Sequence, residues 1–345
     1  MKQTLKSALL SAVLLAAGIC TVTADDDINR KTYENPVIPS STPDPTIIKC
    51  EEDGFYYLYG TEDTRNTPIY RSRNLVDWIF VGTAFTETTR PECVGPDTGP
   101  TPGSMAGIWA PDINYINGQY VLYFSIGVWG ISEKCGVGVA TAERPEGPFV
   151  DRGVILRSQE IGVTNSIDQF YIEDNGKKYL VWGSFNGIYM VELTDDGLRI
   201  KPGTQKVQLA GSLTEGSYIY KRDGYYYLFG SAGSCCEGAK STYHIVYGRS
   251  DKLEGPYVNK SGGRMLDNQS ETLIEGDDFV AGPGHNAEFV VDDNGDTWIP
   301  YHGYLRDNEG LGRVVFIDKV QWKDGWPYVE GGHPSRTSTA PYFKE

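Results

Sequence analysis

The stretches DGFYYLYG (53–60), NGQYVLYF (117–124), NGKKYLVWG (175–183), DGYYYLFG (223–230) and NGDTWIPYHG (294–303) carry one pattern five times. Each opens on Asp-Gly or Asn-Gly, dipeptides that adopt positive φ readily and so suit two-residue hairpins. Each then continues as an aromatic, alternating run of strand length. The turn glycines are Gly54, Gly118, Gly176, Gly224 and Gly295, about 60 residues apart, too long a period for a solenoid and suited to a four-stranded blade. Weaker echoes at LVDWIFVG (75–82), PEGPFVDRG (145–153) and LEGPYVNKSG (253–262) fall where later strands of a blade belong. The expected fold is all-β: a five-bladed β-propeller of four-stranded antiparallel blades. A β-sandwich has no reason to repeat one turn signature five times, and no later segment sustains the apolar period of 3.6 that helical layers need.

Composition agrees. The 345 residues include 41 Gly, 19 Pro and 23 Tyr, the usage of a chain with many short strands and tight turns. Charged residues at 22% are too few and too mixed for disorder. With 31 Lys and Arg against 46 Asp and Glu, the formal charge is −15, which excludes binding nucleic acid through basic clusters.

Lys2 and Lys6 precede an apolar run from Ala8 to Ile19, and Val22-Thr23-Ala24 offers small residues for a signal peptidase. Residues 1–24 are expected to be a signal peptide and residues 25–345 a single propeller domain, secreted or periplasmic. The run is too short to span a bilayer, so no membrane insertion is expected. A lipoprotein built on Cys20 is the weaker alternative, because bulky Ile19 stands where a small residue is needed. Cys50, Cys93, Cys135, Cys235 and Cys236 remain, an odd number that cannot all pair within one chain. The adjacent Cys235 and Cys236 either form a vicinal disulfide or point apart.

In a propeller, the start of each blade's innermost strand faces a shared axial pocket. The residues six to ten positions before each turn glycine include Asp44, Asp112, Asp168, Glu215 and His285. Carboxylates gathered around one pocket cannot all keep ordinary pKa values. Glycosidic hydrolysis needs that division: one carboxyl kept protonated as acid, another kept ionised as base or nucleophile. A catalytic zinc is not expected from four scattered His with no HExxH pair. Trp109 and Phe170 are candidate sugar-stacking rings, and Asn165 and Ser184 are candidate partners for sugar hydroxyls. The Gly-, Pro- and Thr-rich stretch 86–107 is expected to form part of a cleft wall.

The runs NPVIPSSTPDPTII (35–48), GIWAPDI (107–113), NSIDQFYIEDNG (165–176), TEGSYIYKRDGYYYLFGSAGSCCEGAKSTYHIVYGRS (214–250) and GPGHNAEFVVDDNGDTWIPYHGY (282–304) resemble glycoside hydrolase family 43. The stretch from SCC to GPY looks most like its endo-1,5-α-L-arabinanases. The resemblance implies inverting hydrolysis of arabinan or arabino-oligosaccharides, with Asp44 as general base, Glu215 as general acid and Asp168 raising the pKa of the acid. It gives Asp112 no catalytic role. It implies no cofactor for the chemistry, and a structural Ca²⁺ near His285. A monomer is expected. Exo-acting α-L-arabinofuranosidases and β-xylosidases share the three acids, and GSMAGIW replaces the His-containing stretch many arabinanases carry before APD. A sugar-binding propeller without catalysis is the alternative class. A fructan hydrolase is disfavoured because Asp44 sits in PDPT.

Overall fold

A computed structural model describes residues 30–61 and 66–344; the expected signal peptide and Cys20 lie outside the described residues. The chain forms five antiparallel blades in sequence order. The first is built from Thr46–Lys49, Tyr56–Tyr59, Pro68–Ser72 and Ile79–Thr83, and the second from Gly107–Ile116, Gln119–Gly127, Gly136–Ala142 and Val150–Arg157. The third comprises Phe170–Asp174, Lys177–Trp182, Ile188–Glu192 and Val207–Ala210, and the fourth Glu215–Arg222, Tyr225–Ala232, His244–Ser250 and Glu271–Ile274. In the fifth, Val280–Gly284 and Val290–Val291 both pair with Thr297–Leu305, followed by Val314–Lys323 and Trp326–Val329. Its inner strand is therefore broken in two. The ring is fastened by a two-stranded ribbon of Thr32–Glu34 with Thr337–Thr339. The only α-helix among the described residues is the four-residue turn Ser158–Ile161, and no helix there is long and apolar enough to cross a membrane.

All five hairpin glycines have positive φ, between 74° and 84°. In the second, third and fourth blades the preceding Asn117, Asn175 and Asp223 are also left-handed, at φ 51° each, as a type I′ turn requires. Asp53 and Asn294 are not, so the first and last hairpins close differently.

The first strands meet at the axis. Side chains of each blade take a backbone N–H of the next: Ile113 N–H donates to Thr46 Oγ1 (3.1 Å), Tyr171 N–H to Asp112 Oδ2 (2.8 Å), Gly216 N–H to the Asp168 carboxyl, Phe289 N–H to the Tyr218 hydroxyl (3.0 Å) and Ile47 N–H to Glu288 Oε2 (2.7 Å). Most of these side chains are buried, among them Thr46, Asp112, Asp168 and Tyr218, and leaving such groups unpaired would cost about 1–3 kcal/mol each. Between the blades pack the aromatics of the five repeats, among them buried Tyr57, Tyr59, Tyr123, Trp182, Tyr227, Phe229, Trp298 and Tyr301.

Candidate active site

At the mouth of the axis, one residue per blade turns left-handed: Asp44 (φ 54°), Ala110 (40°), Asp168 (57°), Gly216 (56°) and His285 (47°). Four of the five carry a Cβ, and that conformation costs roughly 1–2 kcal/mol per such residue. The strain is held by a repeated bond. The N–H of the left-handed residue donates to the residue at the end of the preceding blade's second strand: Asp44 to His302 Nδ1 (2.9 Å), Ala110 to Thr61 Oγ1 (2.9 Å), Asp168 to Ser125 Oγ (3.0 Å) and His285 to Ser231 Oγ (2.8 Å). The fifth such residue, Ser184, donates instead to Glu215 Oε2 at 2.6 Å. The bulge after Glu215 turns its carboxyl inward, one residue ahead of the left-handed position.

Asp44, Asp168, Glu215 and His285 therefore converge, all of them shielded from solvent. Around Asp44 the charges are positive: Arg313 Nη1 lies 2.9 Å and His285 Nδ1 3.3 Å from Oδ1. Burial alone would raise the Asp44 pKa, but Arg313 and His285 hold it well below the usual carboxylate range. His302 is buried and its pKa depressed, first by burial and then by Arg313, so it stays neutral and accepts the Asp44 N–H. Asp168 behaves oppositely: burial first, then the neighbouring Glu215 charge, push it up to about 8. The Glu215 pKa is also raised, by burial, against hydroxyls from Ser184 and Tyr243 (2.7 Å to Oε1) that favour its charged form. One carboxyl is thus kept ionised, while two neighbours together hold a proton.

Several expected site residues take other places or other partners. Asp112 lies two positions past the left-handed Ala110, so it points down the channel. It hydrogen-bonds to Glu288, burial and the Glu288 charge raise its pKa, and it accepts from Tyr171 N–H and Asn114 Nδ2 (2.8 Å). Phe170 is in the core, edge-on to Tyr218 at 5.0 Å, rather than facing a ligand. Ser184 is 1% exposed and reaches Glu215 rather than a sugar; Asn165 Nδ2 donates to it at 2.9 Å. Trp109 is half-buried over Gly127, where a Cβ would come within 1.9 Å of its ring, and stands edge-on to Trp129 at 6.1 Å. Trp129 itself, 75% exposed, was not anticipated. Residues 84–106, which hold most of the 86–107 stretch, connect the last strand of the first blade to the first strand of the second. Cys235 and Cys236 form a vicinal disulfide, while Cys50, Cys93 and Cys135 are free thiols.

The protein groups around His285 do not by themselves make up a calcium ligand set. Burial lowers its pKa, but Asp44, then Asp168 and Glu215, raise it to about 9, so the ring is an imidazolium paired with a carboxylate. A hard cation wants six to eight oxygens, and among the described residues no three His, Cys, Asp or Glu side chains gather as ligands. His285 acts as a counter-charge to the acids.

An axial pocket with one ionised carboxylate and a proton-holding pair of carboxyls, set in a five-bladed propeller, is the arrangement of a glycoside hydrolase. The family model for glycosyl hydrolases family 43 matches residues 33–327, and the chain belongs to that family. It is 33% identical to an extracellular endo-α-(1→5)-L-arabinanase of Bacillus subtilis over 294 residues, 82% of this chain and 86% of that protein. To an extracellular exo-α-(1→5)-L-arabinofuranosidase of Cellvibrio japonicus the identity is 31% over 311 residues, 83% of this chain and 86% of that protein. Among solved structures, the α-L-arabinanase of Cellvibrio cellulosa in complex with arabinohexaose superposes with a TM-score of 0.74 at 29% identity, covering 84% of this chain and 95% of that one.

Proposed function

We propose that this chain is an inverting hydrolase of α-1,5-linked L-arabinan acting in the manner of the endo-arabinanases. The observation that carries the proposal is the unequal setting of the three acids. Asp44, ionised between Arg313 and His285, is the base that takes a proton from water. Glu215 is the acid that protonates the leaving oxygen; burial raises both it and Asp168, and the Glu215 charge raises Asp168 further, so the pair holds a proton on that side of the pocket. Arabinan is what the names of the endo- and exo-acting relatives have in common. Exposed Met105, Trp129, Phe185 and Leu213 lie on loops at the pocket end and give the apolar surface on which sugar rings stack. The Cys235–Cys236 disulfide suits an oxidising compartment outside the cytoplasm.

Linear α-1,5-arabinan followed by ¹H NMR tests substrate and stereochemistry together. The β-anomer should appear first, before mutarotation, with oligosaccharides of several lengths among the early products. First appearance of the α-anomer would replace inversion by retention. Arabinose alone would make the action exo. No cleavage of arabinan alongside turnover of xylobiose would move the substrate to β-xylosides.

The pH dependence follows from the same charges. Asp44 titrates below the usual carboxylate range, so kcat/KM should stay flat on the acid side down to about pH 4, the unperturbed range of a carboxyl. The Asp168–Glu215 pair must keep its proton, which is present below the raised pKa of about 8 and lost above it. Activity should therefore fall as pH rises through about 8; a profile that keeps rising past pH 9 would contradict the assignment of the acid.

A further inference from the structure

Two motifs remain without work to do, STY at 241–243 and GPG at 282–284, and one aromatic ring connects them. Tyr243 is 1% exposed, and its hydroxyl donates to Glu215 Oε1 at 2.7 Å. The ring lies parallel to His302, centroids 5.8 Å apart at 15°, and fills the space beside Gly284, where a Cβ would come within 2.1 Å of Cδ1. Glycine at 284 is thus required for the tyrosine to reach the carboxyl. The other carboxyl oxygen, Oε2, receives Ser184 Oγ at 2.6 Å, and Asn165 Nδ2 donating to that Oγ at 2.9 Å leaves the serine proton for Glu215.

The propeller's own pseudo-symmetry shows that Ser184 is diverted. Thr61, Ser125, Ser231 and His302 each accept the N–H of the left-handed residue in the next blade. In the corresponding place Ser184 leaves the Gly216 N–H to Asp168 and turns to the acid. A serine kept only for the fold would follow the other four.

We infer that Ser184 and Tyr243 are positioning residues that clamp the Glu215 carboxyl, one hydroxyl on each oxygen, so that its proton faces the leaving group. The inference deepens the proposed function and rests on Glu215 being the acid. A carboxyl free to rotate about its last bond presents its proton along the reacting direction only part of the time, and fixed geometry is worth large factors in proton transfer. Clamping matters most when the leaving group is a poor one.

The test compares Ser184→Ala and Tyr243→Phe with wild type on two substrates: an α-1,5-arabino-oligosaccharide, and the aryl glycoside of that oligosaccharide with a good leaving group. Each variant should lower kcat on the oligosaccharide about 10- to 100-fold, with KM within about twofold and the aryl rate within about threefold of wild type. The ratio of the two rates on one preparation cancels the fraction of folded enzyme, so partial misfolding does not obscure it. Thr61→Val, which removes the equivalent hydroxyl of the first blade, should lower Tm yet keep the wild-type ratio. In a Glu215→Ala background, Tyr243→Phe should change the aryl rate by less than about twofold, since its target is gone. Equal losses on both substrates, or an unchanged rate on the oligosaccharide, would overturn the clamp. A wild-type protein that cleaves neither substrate would overturn the proposed function instead.

Discussion

Asp44→Ala is expected to lower kcat on arabinan by about 10³-fold, within the 10²–10⁴ that a positioned proton acceptor contributes, and to do so whatever the leaving group. The carboxylate lies 2.9 Å from Arg313 Nη1 and 3.3 Å from His285 Nδ1, and these positive neighbours keep it ionised and ready to take the proton of the attacking water. Two costs accompany the alanine. A left-handed φ of 54° suits Asp or Asn better than Ala, and the Arg313 guanidinium loses its partner. Asp44→Asn should thus be about as inactive as Asp44→Ala yet melt at a higher temperature. Steady-state rates on arabinan and on an aryl arabino-oligoside, with thermal melts of both variants, check this. If either variant kept a rate within tenfold of wild type, Asp44 would not be the base.

Glu215→Ala should produce a loss of similar size on arabinan, with a different signature. Without its acid, the enzyme depends on the leaving group departing unprotonated, so an aryl glycoside should recover about 10²-fold of the deficit while arabinan recovers none. The alkaline fall in kcat/KM should also vanish, because no Glu215 proton remains to be lost; Asp168, raised first by burial and only then by the Glu215 charge, no longer has an acid to support. Equal defects on both substrates, with the alkaline limb intact, would take the acid's role away from Glu215. Only the pair of variants discriminates base from acid: one indifferent to the leaving group, the other rescued by it.

The fold was legible because each hairpin turn is local chemistry. Asn-Gly or Asp-Gly fixes the turn, the aromatic run fixes the strands, and five copies fix the number of blades. The acids were legible less directly. Counting back from a turn assumes inner strands of constant length, whereas the observed marker is the left-handed residue. By that marker Asp44, Asp168 and His285 are equivalents, but the second blade contributes Ala110, and Asp112 falls two positions deeper. Phe170 was misplaced for the same reason, since it occupies the Asp112 level, where side chains face core and channel. Arg313, Tyr243 and Glu288 were missed because all three lie between strands rather than on them, where no repeat position marks them. One signal for His302 and Ser184 did lie in the repeats. Seven or eight positions past the turn glycines stand Thr61, Ser125, Ser184, Ser231 and His302, four hydroxyls and one imidazole. Aligning the ends of the runs as well as their turns would have set His302 apart.

The way the ring is fastened has a consequence for when activity can appear. Thr32 pairs with Thr339, and the two groups fixing Asp44, His302 and Arg313, stand 258 and 269 residues further along the chain. A growing chain exposes Asp44 early and holds it without counter-charges until the fifth blade is made. Contacts this distant in sequence also slow folding, because they demand closure of nearly the whole chain before they stabilise anything. Hydrolysis is therefore a late event in the molecule's life, and the onset of turnover during refolding times the closing of the circle.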